Sequence, residues 1–406
     1  MTNILSLVLK QYEEMYEPDR AAGLRSYRYR GVDKSPISKY ILTPYWNWAV
    51  KFLPMWMAPN LVTLLGFMFM IAAYITVLIF IPDLKTEVNP AFYFFFAACF
   101  WIYSTMDNID GKQARRTNSS SPLGELFDHG CDALNCPIGA IINIASLGLG
   151  FGWRSLMMIF ISCWAFYLPT WEEYHTGVLY LGYINGPTEG LLGVITTIII
   201  SGIFGTSVWF KSLQIFSYSI YLVDFTLVFF VALFMFYFVP SCLWTVRSEC
   251  KKKGTSFGEA IFQLFPMAVG SLAVALWLFS RHSSIQTSNF LIFFTTIGIV
   301  FGRMSTKIIY AHVAKCPFPI YTGMMIPLVI GSISMFLAHF LVPEEYNSTV
   351  FLAETTYIWS YFGMCIIGYG NWIYHMIYSI CYHCDIYCFQ IKQKKVISPS
   401  NSFVKE

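Results

Sequence analysis

The stretch "DNIDGKQARRTNSSSPLGELFDHGCD", residues 107–132, sets four aspartates in two pairs between two apolar runs. "AFYFFFAACFWIYSTM" (91–106) precedes it and "ALNCPIGAIINIASLGLG" (133–150) follows. Asp107 and Asp110 are three residues apart and Asp128 and Asp132 four apart, so each pair shares one face of its helix. The short "TNSSSPLG" link makes the two helices antiparallel neighbours, and all four carboxylates can converge. Acids at the edge of a low-dielectric medium repel one another and are costly there, so protons or cations must neutralise them. The first helix also brings its negative dipole end to this point. A hard cation with oxygen ligands, magnesium or manganese, meets all of these demands. Gly111 and Ala114 leave room for a ligand at the backbone. Lys112, Arg115 and Arg116 supply positive charge, and a guanidinium grips phosphate through two bonds. Paired metals beside arginine suit a phosphate-bearing substrate, a diphosphate above all.

The rest of the chain reads as membrane. Of 406 residues, 56% are hydrophobic and 12% charged, against about 25% charged in soluble domains. Apolar segments of spanning length are centred in 60–82, 90–107, 130–152, 153–170, 189–208, 217–245, 259–280, 288–312, 317–342 and 355–380. The fold expected is therefore an all-α polytopic membrane protein of about ten transmembrane helices. Residues 24–57 mix basic and aromatic side chains, with Trp46, Trp48 and Trp56 beside Lys39 and Lys51, as helices lying in the headgroup layer do. Four regions follow: an interfacial N-terminal part (1–57), a helical catalytic core (58–245), further transmembrane helices (246–390) and a tail (391–406).

Ten spans place 22 of the 26 lysines and arginines on the side that holds both termini and the aspartates. By the excess of positive charge, that side is cytosolic. Of two sequons, Asn347-Ser348-Thr349 falls on the opposite side, whereas Asn118-Ser119-Ser120 falls within the aspartate stretch. No cleavable signal peptide is expected in "MTNILSLVLKQYEEMYEPDR". A net charge of +3 gives no case for nucleic acid. The eleven cysteines suggest no disulfide framework, and Cys381, Cys384 and Cys388 in "CYHCDIYC" lack a second ligand pair for zinc.

The stretch fits D-x2-D-G-x2-A-R-x8-G-x3-D-x3-D through Asp107, Asp110, Gly111, Ala114, Arg115, Gly124, Asp128 and Asp132. It thereby resembles the CDP-alcohol phosphotransferase family. "KQARRTNSSSPLGELFDHG" and "WMAPNLVTLLG" are similar to its eukaryotic choline and ethanolamine branch. "HTGVLYLGY" and "YRYRGVDKSPIS" look more like the ethanolamine-type enzymes. The resemblance implies transfer of phosphoethanolamine from CDP-ethanolamine (or phosphocholine from CDP-choline) to diacylglycerol, with release of CMP. It also implies two Mg2+ ions, for which Mn2+ could substitute, on Asp107, Asp110, Asp128 and Asp132. Nucleotide contacts fall on Asn60 and Arg115, close approach on Gly111 and Ala114, and further substrate contacts on Lys112 and Glu125. A homodimer in the endoplasmic reticulum or Golgi membrane is implied as well.

The acceptor hydroxyl needs a base. His129 has a reference pKa suited to neutrality. The alternative, Asp132, is expected to spend its lone pairs on metal. Glu172 and Glu173 take no role in this reading, and Asp224 is expected to be packed or paired. Two rivals differ in their acids: an intramembrane prenyltransferase spreads its acidic motifs far apart, and a cation transporter buries acids in several spans.

Overall fold

The computed structural model describes residues 18–215 and 218–392. The tail expected over 391–406 lies almost wholly outside the described residues. Among the described residues two short helices, α1 (Pro18–Ser26) and α2 (Thr43–Ala49), precede ten longer ones. These are α3 (Pro59–Phe80), α4 (Pro90–Arg116), α5 (Pro122–Leu147), α6 (Trp153–Thr176) and α7 (Leu191–Phe204), then α8 (Leu222–Lys253), α9 (Phe257–Phe279), α10 (Phe290–Val313), α11 (Met325–Leu341) and α12 (Asn347–Cys384). The sequence dictates their ends. Proline opens α3, α4 and α5, where a missing N–H costs nothing. Asn89 caps α4, and the Ser121 hydroxyl accepts from Gly124 N (3.2 Å) at the start of α5. Gly148 and Gly177 close α5 and α6 in the left-handed conformation.

Each of the ten expected segments overlaps a helix, but a count of ten spans is not reproduced. Among the described residues, seven segments are long and apolar enough to cross a bilayer, namely α3, α5, Gly186–Phe204, α8, α9, α10 and Glu344–Cys384. The chain is accordingly built as an integral membrane protein. The helices outside that set have physical reasons for it. α11 has only 17 residues, while α4 and α6 carry aspartates, glutamates and a histidine within their length. On the outer surface Phe225, Val228, Phe229 and Phe236 of α8 are exposed, as side chains facing lipid would be.

α5 lies at the centre, packed against α3, α6 and α10. Gly298 and Gly302, one turn apart on α10, permit the closest of these contacts. A Cβ at Gly298 would come within 2.9 Å of Pro137, and one at Gly302 within 2.6 Å of Leu134. α4 packs chiefly on α3 and α7.

The N-terminal segment is fastened over the aspartate end of the bundle. Strand β1 (Gly31–Asp33) pairs in parallel with β2 (Leu179–Leu181), just beyond α6. Arg25 Nε donates to the His383 carbonyl at 3.0 Å. Farther on, Leu42, Trp46 and Val50 pack with Val62 and Ile109, whereas Tyr40, Trp48, Phe52 and Trp56 are exposed. Asp224 is paired: Arg154 donates to both its oxygens, at 2.7 and 2.8 Å.

Candidate active site

Asp107 and Asp110 stand two turns before the end of α4, which runs on to Arg116. The last turn therefore holds Arg115 and Arg116, basic residues that complement the dipole there. Asp107, Asp128 and Asp132 each offer an oxygen within 4.8 Å of the other two. Asp107 and Asp128 also keep a buried oxygen, Oδ1 in both, with no hydrogen-bond partner. Tyr103 donates its hydroxyl to Asp132 Oδ1. Asp110 lies outside this triplet; it is buried and accepts from the Thr63 hydroxyl. Three half-buried carboxylates, two with a stranded oxygen and none paired with an ammonium or guanidinium among the described residues, form an all-oxygen donor set, which fits a hard divalent cation. Asp110 stands one turn along α4 from Asp107.

The other expected residues divide into two groups. Some face open space. A Cβ at Gly111 would meet only the Arg115 guanidinium, at 3.7 Å, so the backbone there is free to be approached. Arg115 itself is exposed and Ala114 half-buried. Others are engaged within the chain. Lys112 Nζ donates to Asn47 Oδ1 at 2.9 Å, and Arg116 donates to the Val50 and Leu53 carbonyls, both at 2.8 Å. Asn60 is buried beside Gly124 and donates to the Cys388 carbonyl at 3.0 Å. The cysteines of "CYHCDIYC" form no metal-ligand cluster among the described residues, and burial pushes the Cys388 thiol up to about 11.

His129 Nε2 lies 4.0 Å from Asp128 Oδ2, and the Tyr29 ring meets the imidazole edge-on at 6.5 Å between centroids. Asp107, His129 and Asp132 line one end of a cavity of about 620 Å³. Its remaining walls are mainly apolar, from α5, α6, α7 and α8, including Phe166, Val194, Leu227 and Phe230. Asn135, one turn beyond Asp132, adds a buried Oδ1 without a partner to this wall.

A second group joins Glu125, expected as a substrate contact, to two residues without an expected role. Glu173 of α6 meets Glu125 of α5 and His312 of α10, with ligand atoms within 4.8 Å of one another. Tyr27 donates to Glu125 Oε2. Burial, and then the Glu125 charge, hold Tyr27 well above the usual phenol range, so it stays a donor. Of this group, Glu125 was expected as a substrate contact, the acids at 172–173 had no assigned role, and His312 carried no sequence signal.

Residues 56–296 match the family model described as CDP-alcohol phosphatidyltransferase. Choline/ethanolaminephosphotransferase 1 of Saccharomyces cerevisiae is 34% identical over 390 residues, 92% of this chain and 97% of that protein. The Arabidopsis thaliana protein called choline/ethanolaminephosphotransferase 1 is 34% identical over 389 residues, with the same coverage of 92% and 97%. Cholinephosphotransferase 1 of Saccharomyces cerevisiae is 32% identical over 390 residues, again 92% and 97%. The match takes in more than half of the sequence and all of the aspartate stretch, and the chain belongs to the CDP-alcohol phosphatidyltransferase family.

Proposed function

We propose that the protein transfers phosphoethanolamine from CDP-ethanolamine to the free hydroxyl of 1,2-diacylglycerol, giving phosphatidylethanolamine and CMP. One observation carries this reading: a carboxylate triplet with stranded oxygens stands at the end of a large, mostly apolar cavity. Such a junction is a place where a diphosphate and a lipid alcohol can meet. Asp107, Asp110, Asp128 and Asp132 hold Mg2+, or Mn2+ in its place, as two ions. When bound, these ions neutralise the diphosphate and stabilise the leaving phosphate oxygen.

The chain's own residues do the rest. Arg115 binds phosphate from the exposed end of α4, and Gly111 and Ala114 let the diphosphate approach the backbone. Asn60 turns from the Cys388 carbonyl to the nucleotide. Lys112 adds positive charge near the phosphates. His129 takes the proton of the diacylglycerol hydroxyl at an imidazole nitrogen, with Asp132 the alternative base. The apolar walls exclude water that would otherwise compete with that hydroxyl.

The excess of basic residues at the aspartate end supports a cytosolic active site. The exposed outer aromatics around α2 support an interfacial position for that helix. An endoplasmic reticulum or Golgi membrane and a homodimer complete the reading. A choline or dual specificity is the second reading, favoured by the names of the relatives. Purified protein with diacylglycerol, Mg2+ and either CDP-ethanolamine or CDP-choline decides between them. Faster CMP release from CDP-ethanolamine is expected; equal or faster release from CDP-choline supports the second reading, and none from either defeats both.

A further inference from the structure

Glu173 and Glu125 are 3% and 8% exposed, and each keeps an Oε1 that is buried without a hydrogen-bond partner. No ion pair within 4.0 Å reaches either glutamate among the described residues. Two acids held together in a helix bundle without a counter-charge are costly, so a proton or a cation must lie between them. Glu354 shows what the same fold does with an acid that awaits nothing. Its oxygens take the Trp277 indole N–H at 2.7 Å and the Ser284 backbone N–H at 2.7 Å.

Position argues for the substrate's own cation. Glu173 lines the same cavity as Asp107, His129 and Asp132. Glu125 precedes Asp128 by three residues and His129 by four, a rise of about 4.5 to 6 Å along α5. Two carbons separate oxygen from nitrogen in ethanolamine, which suits a step of that order. Chemistry then selects among cations. The stranded oxygens are acceptors in search of N–H donors; a primary ammonium has three, and a trimethylammonium has none.

We infer that Glu173, Glu125 and His312 form the headgroup pocket of the donor substrate and bind a primary ammonium. Glu173 is the specificity-determining member, and Tyr27 holds Glu125 in place. This inference rests on the function proposed above.

The test compares kcat/KM for CDP-ethanolamine and CDP-propanol, in which a methyl replaces the ammonium. The wild type is expected to favour CDP-ethanolamine at least about tenfold. Glu173→Gln is expected to shrink that ratio at least about tenfold, since it removes the charge and keeps the shape. An unmoved ratio, or equal losses with both substrates, overturns the assignment. So does a fall of one in the number of Mn2+ ions bound by Glu173→Gln, which would mark a metal centre instead. If the variant does not purify as a folded protein, the wild type carries the test, and a ratio near one overturns it. A wild type that ignores CDP-ethanolamine but uses CDP-choline overturns the ethanolamine reading and this pocket together. Failure of the variant alone leaves the activity standing.

Discussion

Two acidic places in this molecule, Glu354 fully buried and the aspartate triplet half-buried, are built in opposite ways. Glu354 on α12 is surrounded by donors: the Trp277 indole, the Ser284 backbone and hydroxyl, and the Ser283 hydroxyl at 3.1 Å. The triplet Asp107, Asp128 and Asp132 receives the Tyr103 hydroxyl and little else, with two oxygens left bare. A buried carboxylate kept for structure is solvated by its own protein, whereas one kept for a ligand is left hungry. The contrast predicts that stability should reside at the first place and activity at the second.

The largest break in that contrast would come from the aspartates. Asp107→Ala and Asp128→Ala are each expected to lower CMP release by about 10³-fold or more, with a melting temperature unchanged or raised because mutual repulsion is relieved. Activity near the wild-type level in either variant would defeat the metal assignment. His129→Ala should follow, at about 10²- to 10³-fold in kcat; near-normal turnover would move the base to Asp132. Tyr103→Phe sharpens the comparison within the site. Removing the hydroxyl that steadies Asp132 should cost about tenfold to a hundredfold, and raising Mg2+ should recover part of the loss. Glu354→Ala reverses the pattern. Each donor left without an acceptor costs about 1–3 kcal/mol, so thermal melting should fall clearly while turnover per folded molecule stays the same. A large loss of turnover there would show that the two places are not separable.

The aspartate stretch was legible because its chemistry is local in sequence. Two pairs at helical spacing, on either side of a short link, bring Asp107, Asp128 and Asp132 together, while Asp110 turns to Thr63 instead. The helical segments were legible through hydropathy alone, but α4 and α6 were harder to weigh, since the polar side chains that build the site dilute their apolar character. Glu173 and His312 were not legible as partners of Glu125. They meet it only because Gly298 and Gly302 draw α10 onto α5 and because α6 packs beside it. The engagement of Lys112 with Asn47 was hidden for a related reason. It depends on the N-terminal helix folding back over α4, which residue spacing cannot reveal.

The central claim is that the aspartates are bare because cations occupy them. Mn2+ titration followed by electron paramagnetic resonance, on the purified full chain and on Asp128→Asn, tests it most directly. Saturable uptake by the wild type that is lost or strongly weakened in the variant is the result this account predicts. Equal uptake by both proteins, or none by the wild type, would contradict it.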